Sequence, residues 1–149
     1  MKYVCLFLLS AFALCSCHQQ PDAKPVAAYT PGMGELMLNV QIHHAKLWYA
    51  GQYHNWPLAD YDQQLIRSAF LKMHKYHSED PAIALVSMID GPMDSLSKVI
   101  KGGDSVGFRH AFELLTTTCN NCHIATNHAF NRIKIPSAEP IGNQVFSLE

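Results

Sequence analysis

The chain is short of several things, and each shortage excludes something. No alternation of apolar and polar residues is sustained over a strand's length, so a sheet is not expected and the class reads as all-α. No stripe of Lys and Arg runs along any segment, so nothing calls for a nucleic-acid partner. The leading apolar run, Val4 to Leu14, is too short for a comfortable membrane span. No nucleophile–base or acid–base constellation stands out, so an enzyme is not expected. Cysteine is scarce as well, with five in 149 residues. Their positions carry most of the information.

The first sixteen residues read as a secretory signal and not as part of the fold. Lys2 supplies the positive start, and Ser10 is the only weakly polar break in the apolar core. The next stretch, Leu14-Cys15-Ser16-Cys17, resembles a bacterial lipobox. Cys15 departs from that pattern, where a small residue is more usual. The resemblance implies cleavage before Cys17 and lipidation of its thiol and new amine. A lipid anchor in the bacterial cell envelope, facing the periplasm, is then expected. The alternative is an ordinary cleaved signal that leaves Cys17 as a free thiol, which would be a reactive liability outside the cytosol.

Cys119-Asn120-Asn121-Cys122-His123 is the stretch around which the rest is organised. Two cysteines spaced by two residues and followed by histidine form the attachment motif of a c-type haem. Each thiol adds across one porphyrin vinyl group and leaves a thioether. The vinyls sit about one helical turn apart, so the thiols must lie about three residues apart on a helix. The next residue then points under the metal, where neutral imidazole is a good iron ligand. Cys119 and Cys122 are expected to hold one covalent haem c, with His123 as proximal ligand. A thioredoxin-like pair would want a βαβ context, and this region reads as helix. A zinc site closed by cysteines would need a second pair, and none remains once the signal is removed. The cysteine count then closes. Cys5 and Cys15 leave with the signal, Cys17 takes lipid, and no thiol is left for a structural disulfide.

Four domains of sequence follow: residues 1–16 as signal, 17–29 as tether, 30–128 as a helical haem-binding domain and 129–149 as an extension packing on it. Pro21 and Pro25 stiffen the tether. After signal removal, ten Lys and Arg face twelve Asp and Glu, a formal charge of −2. Membrane contact should therefore come from the lipid.

A first helix is expected from Thr30-Pro31, with Thr30 as cap and Gly51 as stop. Met33, Met37, Val40, Gln41, His44, Leu47 and Trp48 form its stripe. A second runs from about Pro57 to His77 behind an Asn55 cap, with Leu58, Tyr61, Leu65, Ala69, Met73 and Tyr76 inward and Asp62, Arg67, Lys72 and Lys75 mostly elsewhere. His74 and His77 are spaced for a surface metal, though such pairs are more often merely solvated. Asp80-Pro81 opens a third helix in two pieces, broken at Gly91-Pro92 and stopped at Gly102-Gly103. The last helix starts near Asp104 or Ser105 and fades after His128. Its seam is Phe108, Phe112, Leu115, Cys119, Cys122, which turns the haem toward the interior. The tail from Phe130 to Phe146 is apolar and proline-broken, and is expected to fold back across the helices.

Four amphipathic segments with short connections predict an antiparallel four-helix bundle with a kinked third helix and an irregular tail. The arrangement, with the haem motif on the fourth helix, resembles the class II c-type cytochromes, the cytochrome c prime group. The resemblance covers roughly Thr30 to His128. The long tail and the broken third helix depart from it. It implies a periplasm-facing, lipid-anchored monohaem protein that passes electrons to a redox partner. Two alternatives stay open: a gas-binding haem protein with an open distal site, and a haem subunit of a larger redox complex. The sixth iron position separates the first two. Met37 is the leading candidate, with His44, Met33 or an open site behind it. His44 lies about 10 Å further along the axis than Met37, so both cannot reach one iron.

Overall fold

The computed structural model describes residues 28–148. The signal, Cys17 and nearly all of the tether lie outside them. The described residues form helices joined by turns and followed by an irregular tail, with no strand among them. The elements are α1 (Met33–Gln52), α2 (Trp56–Tyr76), a 3-10 segment (Pro81–Ile89), α3 (Asp90–Gly102) and α4 (Ser105–Ala125). α2 packs between α1 and α3, and α4 packs on α3, α1 and the 3-10 segment. Leu47, Ile66, Met73, Met93, Leu96, Phe108, Phe112 and Leu115 form the fully enclosed centre. None of these helices is long and apolar enough to cross a membrane.

α1 begins later than its expected cap. Gly32, in extended conformation, is the N-cap and offers no side-chain bond. The Pro31 carbonyl is already engaged, accepting from His77 Nε2 at 2.8 Å. Gly51 does not stop the helix, which runs on through Gln52. Gly51 serves packing instead. A Cβ placed there would stand 2.1 Å from the Phe108 ring, so only glycine lets α4 approach this closely.

Asn55 caps α2 as expected, its Oδ1 accepting from the Leu58 N–H. The inward face differs from the predicted one. Ala59, Asp62, Gln63, Ile66, Ala69, Phe70 and Met73 are buried, while Tyr61 and Tyr76 are exposed. Ala69 and Met73 are buried as expected, so the buried face is the predicted one turned partway around the helix. Asp62 was expected on the outer side and is fully buried. It is held inside by α1, where His43 Nδ1 lies at 2.8 Å and Lys46 Nζ at 3.4 Å from its Oδ1. Both partners meet Oδ1, while the buried Oδ2 has no hydrogen-bond partner, so the carboxylate is only half satisfied.

The third segment changes helix type without a gap. Ile83, Val86 and Ile89 are all buried. Their spacing of three matches the 3.0 residues per turn of a 3-10 helix and would drift around an α-helix. Gly91-Pro92 does not break the chain here but lies in the first turn of α3, where the missing proline N–H has no intrahelical partner to lose. Gly103, at φ 63°, ends α3 as expected.

α4 opens on Asp104, whose Oδ1 accepts from the N–H groups of Val106 and Gly107. It stops at Ala125, short of the expected His128. Asn127 takes the left-handed conformation at φ 62°. The N–H of His128 then reaches the His123 carbonyl at 2.6 Å, and that of Asn127 reaches Ile124 at 3.2 Å. These two bonds form a Schellman cap. The reversal sends the tail back over α4. Ile135 packs on the core, and Phe146 is buried near Tyr49 with its carbonyl accepting from Asn55 Nδ2. Phe130 and Val145 stay exposed, contrary to the expectation that the tail buries its apolar residues.

Candidate functional site

The seam of α4 carries Phe108, Phe112 and Leu115 into the core, and the same period brings Cys119 and Cys122 to half-buried positions one turn further on. Both thiols are free. They open onto a cavity of about 300 Å³. α1 lines it with Met37, Val40, Gln41 and His44, and the 3-10 segment with Leu85, Val86, Met88 and Ile89. α4 contributes Thr118, Cys119, Cys122 and His123, and the tail contributes Asn131 and Ile133. Leu38 and Met88, both partly in solvent, mark its mouth.

His123 is oriented by the tail. Its Nδ1 lies 2.6 Å from the Asn131 carbonyl oxygen. A carbonyl can only accept, so Nδ1 carries the proton and Nε2 keeps its lone pair. That is the tautomer required of an imidazole that ligates through Nε2. The tail's return thus has a chemical consequence at the motif histidine.

His44 is placed otherwise. Its Nε2 is 2.9 Å from Thr116 Oγ1, and Thr116 donates its own proton to the Phe112 carbonyl at 2.9 Å. The hydroxyl proton is therefore spent, and His44 must be the donor through Nε2. Burial pushes its pKa down to about 4, so the ring is neutral at pH 7. Its ring packs on Phe112 at 4.4 Å between centroids.

The thiols are poorly suited to thiolate chemistry. Burial first, and then the neighbouring Cys122, push the Cys119 thiol up to about 12. Burial also raises Cys122. A redox dithiol needs the opposite shift. Among the described residues, no cluster of three or more His, Cys, Asp or Glu could hold a metal ion by itself. In the His74–His77 pair, His77 donates from Nε2 to the Pro31 carbonyl, which leaves its lone pair on Nδ1.

Of the candidate sixth ligands, Met37 and His44 line the cavity, while Met33 packs against the core away from it. Met88 also lines the cavity and was not anticipated. Its signal was the three-residue step from Leu85, hidden by treating the segment as an ordinary helix. Asn131 was missed because a backbone carbonyl leaves no trace in side-chain chemistry. The cavity joins thiol, imidazole and thioether groups within mostly apolar walls, a donor set that fits a mostly apolar cofactor held through the cysteine sulfurs. The chain matches no family model, no curated protein and no solved structure.

Proposed function

We propose that this chain is a c-type haem protein of the class II kind, which carries single electrons in the bacterial periplasm and is tethered to a membrane through lipidated Cys17. The four helices are then an antiparallel bundle with a bend where the 3-10 segment enters α3. One observation carries the reading. The two motif cysteines and the motif histidine share one apolar cavity, and the histidine has its Nδ1 proton committed elsewhere.

The haem would supply an iron centre that accepts and returns one electron. The chain's own residues do the rest. Cys119 and Cys122 would hold the ring as thioethers, which would prevent its loss in an open compartment. His123 presents Nε2 to the metal. Val40, Val86, Ile89 and Ile133 give the cavity apolar walls that would keep water from the group, and a low-dielectric wall would reduce reorganisation when charge changes. Leu38 and Met88 leave a mouth through which a redox partner protein reaches the edge.

The second reading, a gas-binding protein with an open distal position, is favoured only if Met37 does not ligate.

The decisive experiment is acid–organic extraction of denatured protein. Haem should remain bound to wild type and be lost from the Cys119→Ala, Cys122→Ala double variant. Extraction of haem from wild type would overturn the proposal. The anchor is tested separately: wild type should partition into membranes with an acyl mass on Cys17, and Cys17→Ser should not.

A further inference from the structure

Cys119 and Cys122 enclose two asparagines, and the attachment chemistry specifies neither. Asparagine is a poor helix residue, because its short amide competes for backbone groups. Asn120 nevertheless sits well inside α4 and half-buried. Its amide is fully used. Nδ2 donates to the Ile133 carbonyl at 2.8 Å, and Oδ1 accepts from the Ile133 N–H at 2.8 Å. One side chain thus satisfies both backbone groups of a single tail residue. Only an amide offers a donor and an acceptor side by side, so the pairing fixes both the position and the direction of the strand-like tail there.

Two residues before Ile133 is Asn131, whose carbonyl accepts from His123 Nδ1. The other end of this short loop is also tied. His128 N–H bonds the His123 carbonyl, and Asn131 N–H bonds the His128 carbonyl at 2.8 Å. The loop from Asn127 to Ile133 is therefore held at the helix cap and at Asn120, with the Asn131 carbonyl between.

We propose that Asn120 is a positioning residue for His123, acting through the tail to hold the Asn131 carbonyl on Nδ1 and so to set the electron-donating strength of Nε2. This rests on His123 being the proximal ligand. A proton shared with a fixed carbonyl makes an imidazole a stronger donor, and a stronger donor favours the oxidised metal. Releasing the tail weakens that bond and raises the reduction potential.

The test compares the full haem-loaded chain with Asn120→Ala and Asn120→Ser. Alanine removes both bonds and improves helix propensity, so α4 persists. Serine is neutral and smaller, its hydroxyl can keep at most one of the two bonds, and it covers the case of an alanine variant that does not fold. Three readouts are taken: haem retained after acid–organic extraction, exchange rate of the Ile133 amide, and midpoint potential by redox titration. Both variants should retain haem, exchange the Ile133 amide faster and shift the potential upward, Asn120→Ala by more. A potential unchanged from wild type, with haem retained and exchange accelerated, would show that Asn120 only pins the tail and would overturn the inference. Wild type without covalent haem would overturn the underlying haem proposal instead, so the two failures are distinguishable.

Discussion

His44 Nε2 stands 2.9 Å from Thr116 Oγ1, and that hydroxyl spends its proton on the Phe112 carbonyl. His44 therefore donates through Nε2 and keeps its lone pair on Nδ1, with its ring packed against Phe112. Met37 lines the same cavity with its thioether uncommitted to polar partners. Under the proposed function, Met37→Ala should lose low-spin character and lower the reduction potential, because a thioether favours the reduced metal. His44→Ala and Met88→Ala should leave the spin state unchanged. Optical spectra with and without carbon monoxide, read beside redox titration, check this. A wild type that is already high-spin and binds carbon monoxide readily would reject Met37 ligation and favour the gas-binding reading.

Burial of His44 also has a pH signature. Its folded pKa of about 4 lies below the ordinary value of 6.5. The unfolded chain therefore takes up a proton first as pH falls. Stability from this residue is complete above about pH 6.5, declines through the window and has been lost near pH 4, a loss of about 3 kcal/mol. His44→Gln keeps a polar side chain and removes the titration. Denaturant unfolding at a series of pH values should show a shallower decline for the variant between pH 6.5 and 4. Parallel curves for the two proteins would contradict the assignment.

Gly51 and Phe108 supply a packing test. A methyl at residue 51 would lie 2.1 Å from Phe108 Cε1, and Phe108 is fully buried. Gly51→Ala gains about 1 kcal/mol of helix propensity. Overpacking costs about 1–3 kcal/mol, and more at so short a contact. A net loss of about 2 kcal/mol by chemical denaturation is expected. The paired Phe108→Leu, Gly51→Ala variant should recover part of it. A neutral or stabilised Gly51→Ala would mean that α1 and α4 do not meet this closely.

The helices and most of their ends were legible because they depend on local chemistry. Asn55, Asp104 and Gly103 act at their termini through neighbours at most a few residues away. The α4 seam was legible for the same reason. What escaped depends on partners distant in sequence. Asp62 looked like a surface charge until His43 and Lys46 of α1 were found around it. Gly51 looked like a stop until Phe108 was found above it. At the site, Cys119, Cys122, His123 and Met37 were visible as chemistry, and the cavity brings them together. The hydrogen bond that fixes the His123 tautomer was not visible, because its acceptor is a peptide carbonyl positioned by a turn.

That turn is itself open to test. Asn127 sits at φ 62°, where most side chains cost about 1–2 kcal/mol and asparagine or glycine far less. Through it, the amides of Asn127 and His128 return to the carbonyls of Ile124 and His123. Asn127→Gly should preserve the cap and leave stability within a few tenths of a kcal/mol, since glycine is the common residue at this position. Asn127→Val places a β-branched side chain in the left-handed region and should cost about 2 kcal/mol. The loss should be local as well as global. The His128 amide should exchange faster in Asn127→Val than in Asn127→Gly, and the Asn131 amide, which bonds the His128 carbonyl, should follow it. Hydrogen exchange resolved by residue is the measurement. Equal protection of His128 in the two variants would show that the tail is held against α4 without the cap, leaving the Asn120–Ile133 pair to carry the reversal alone.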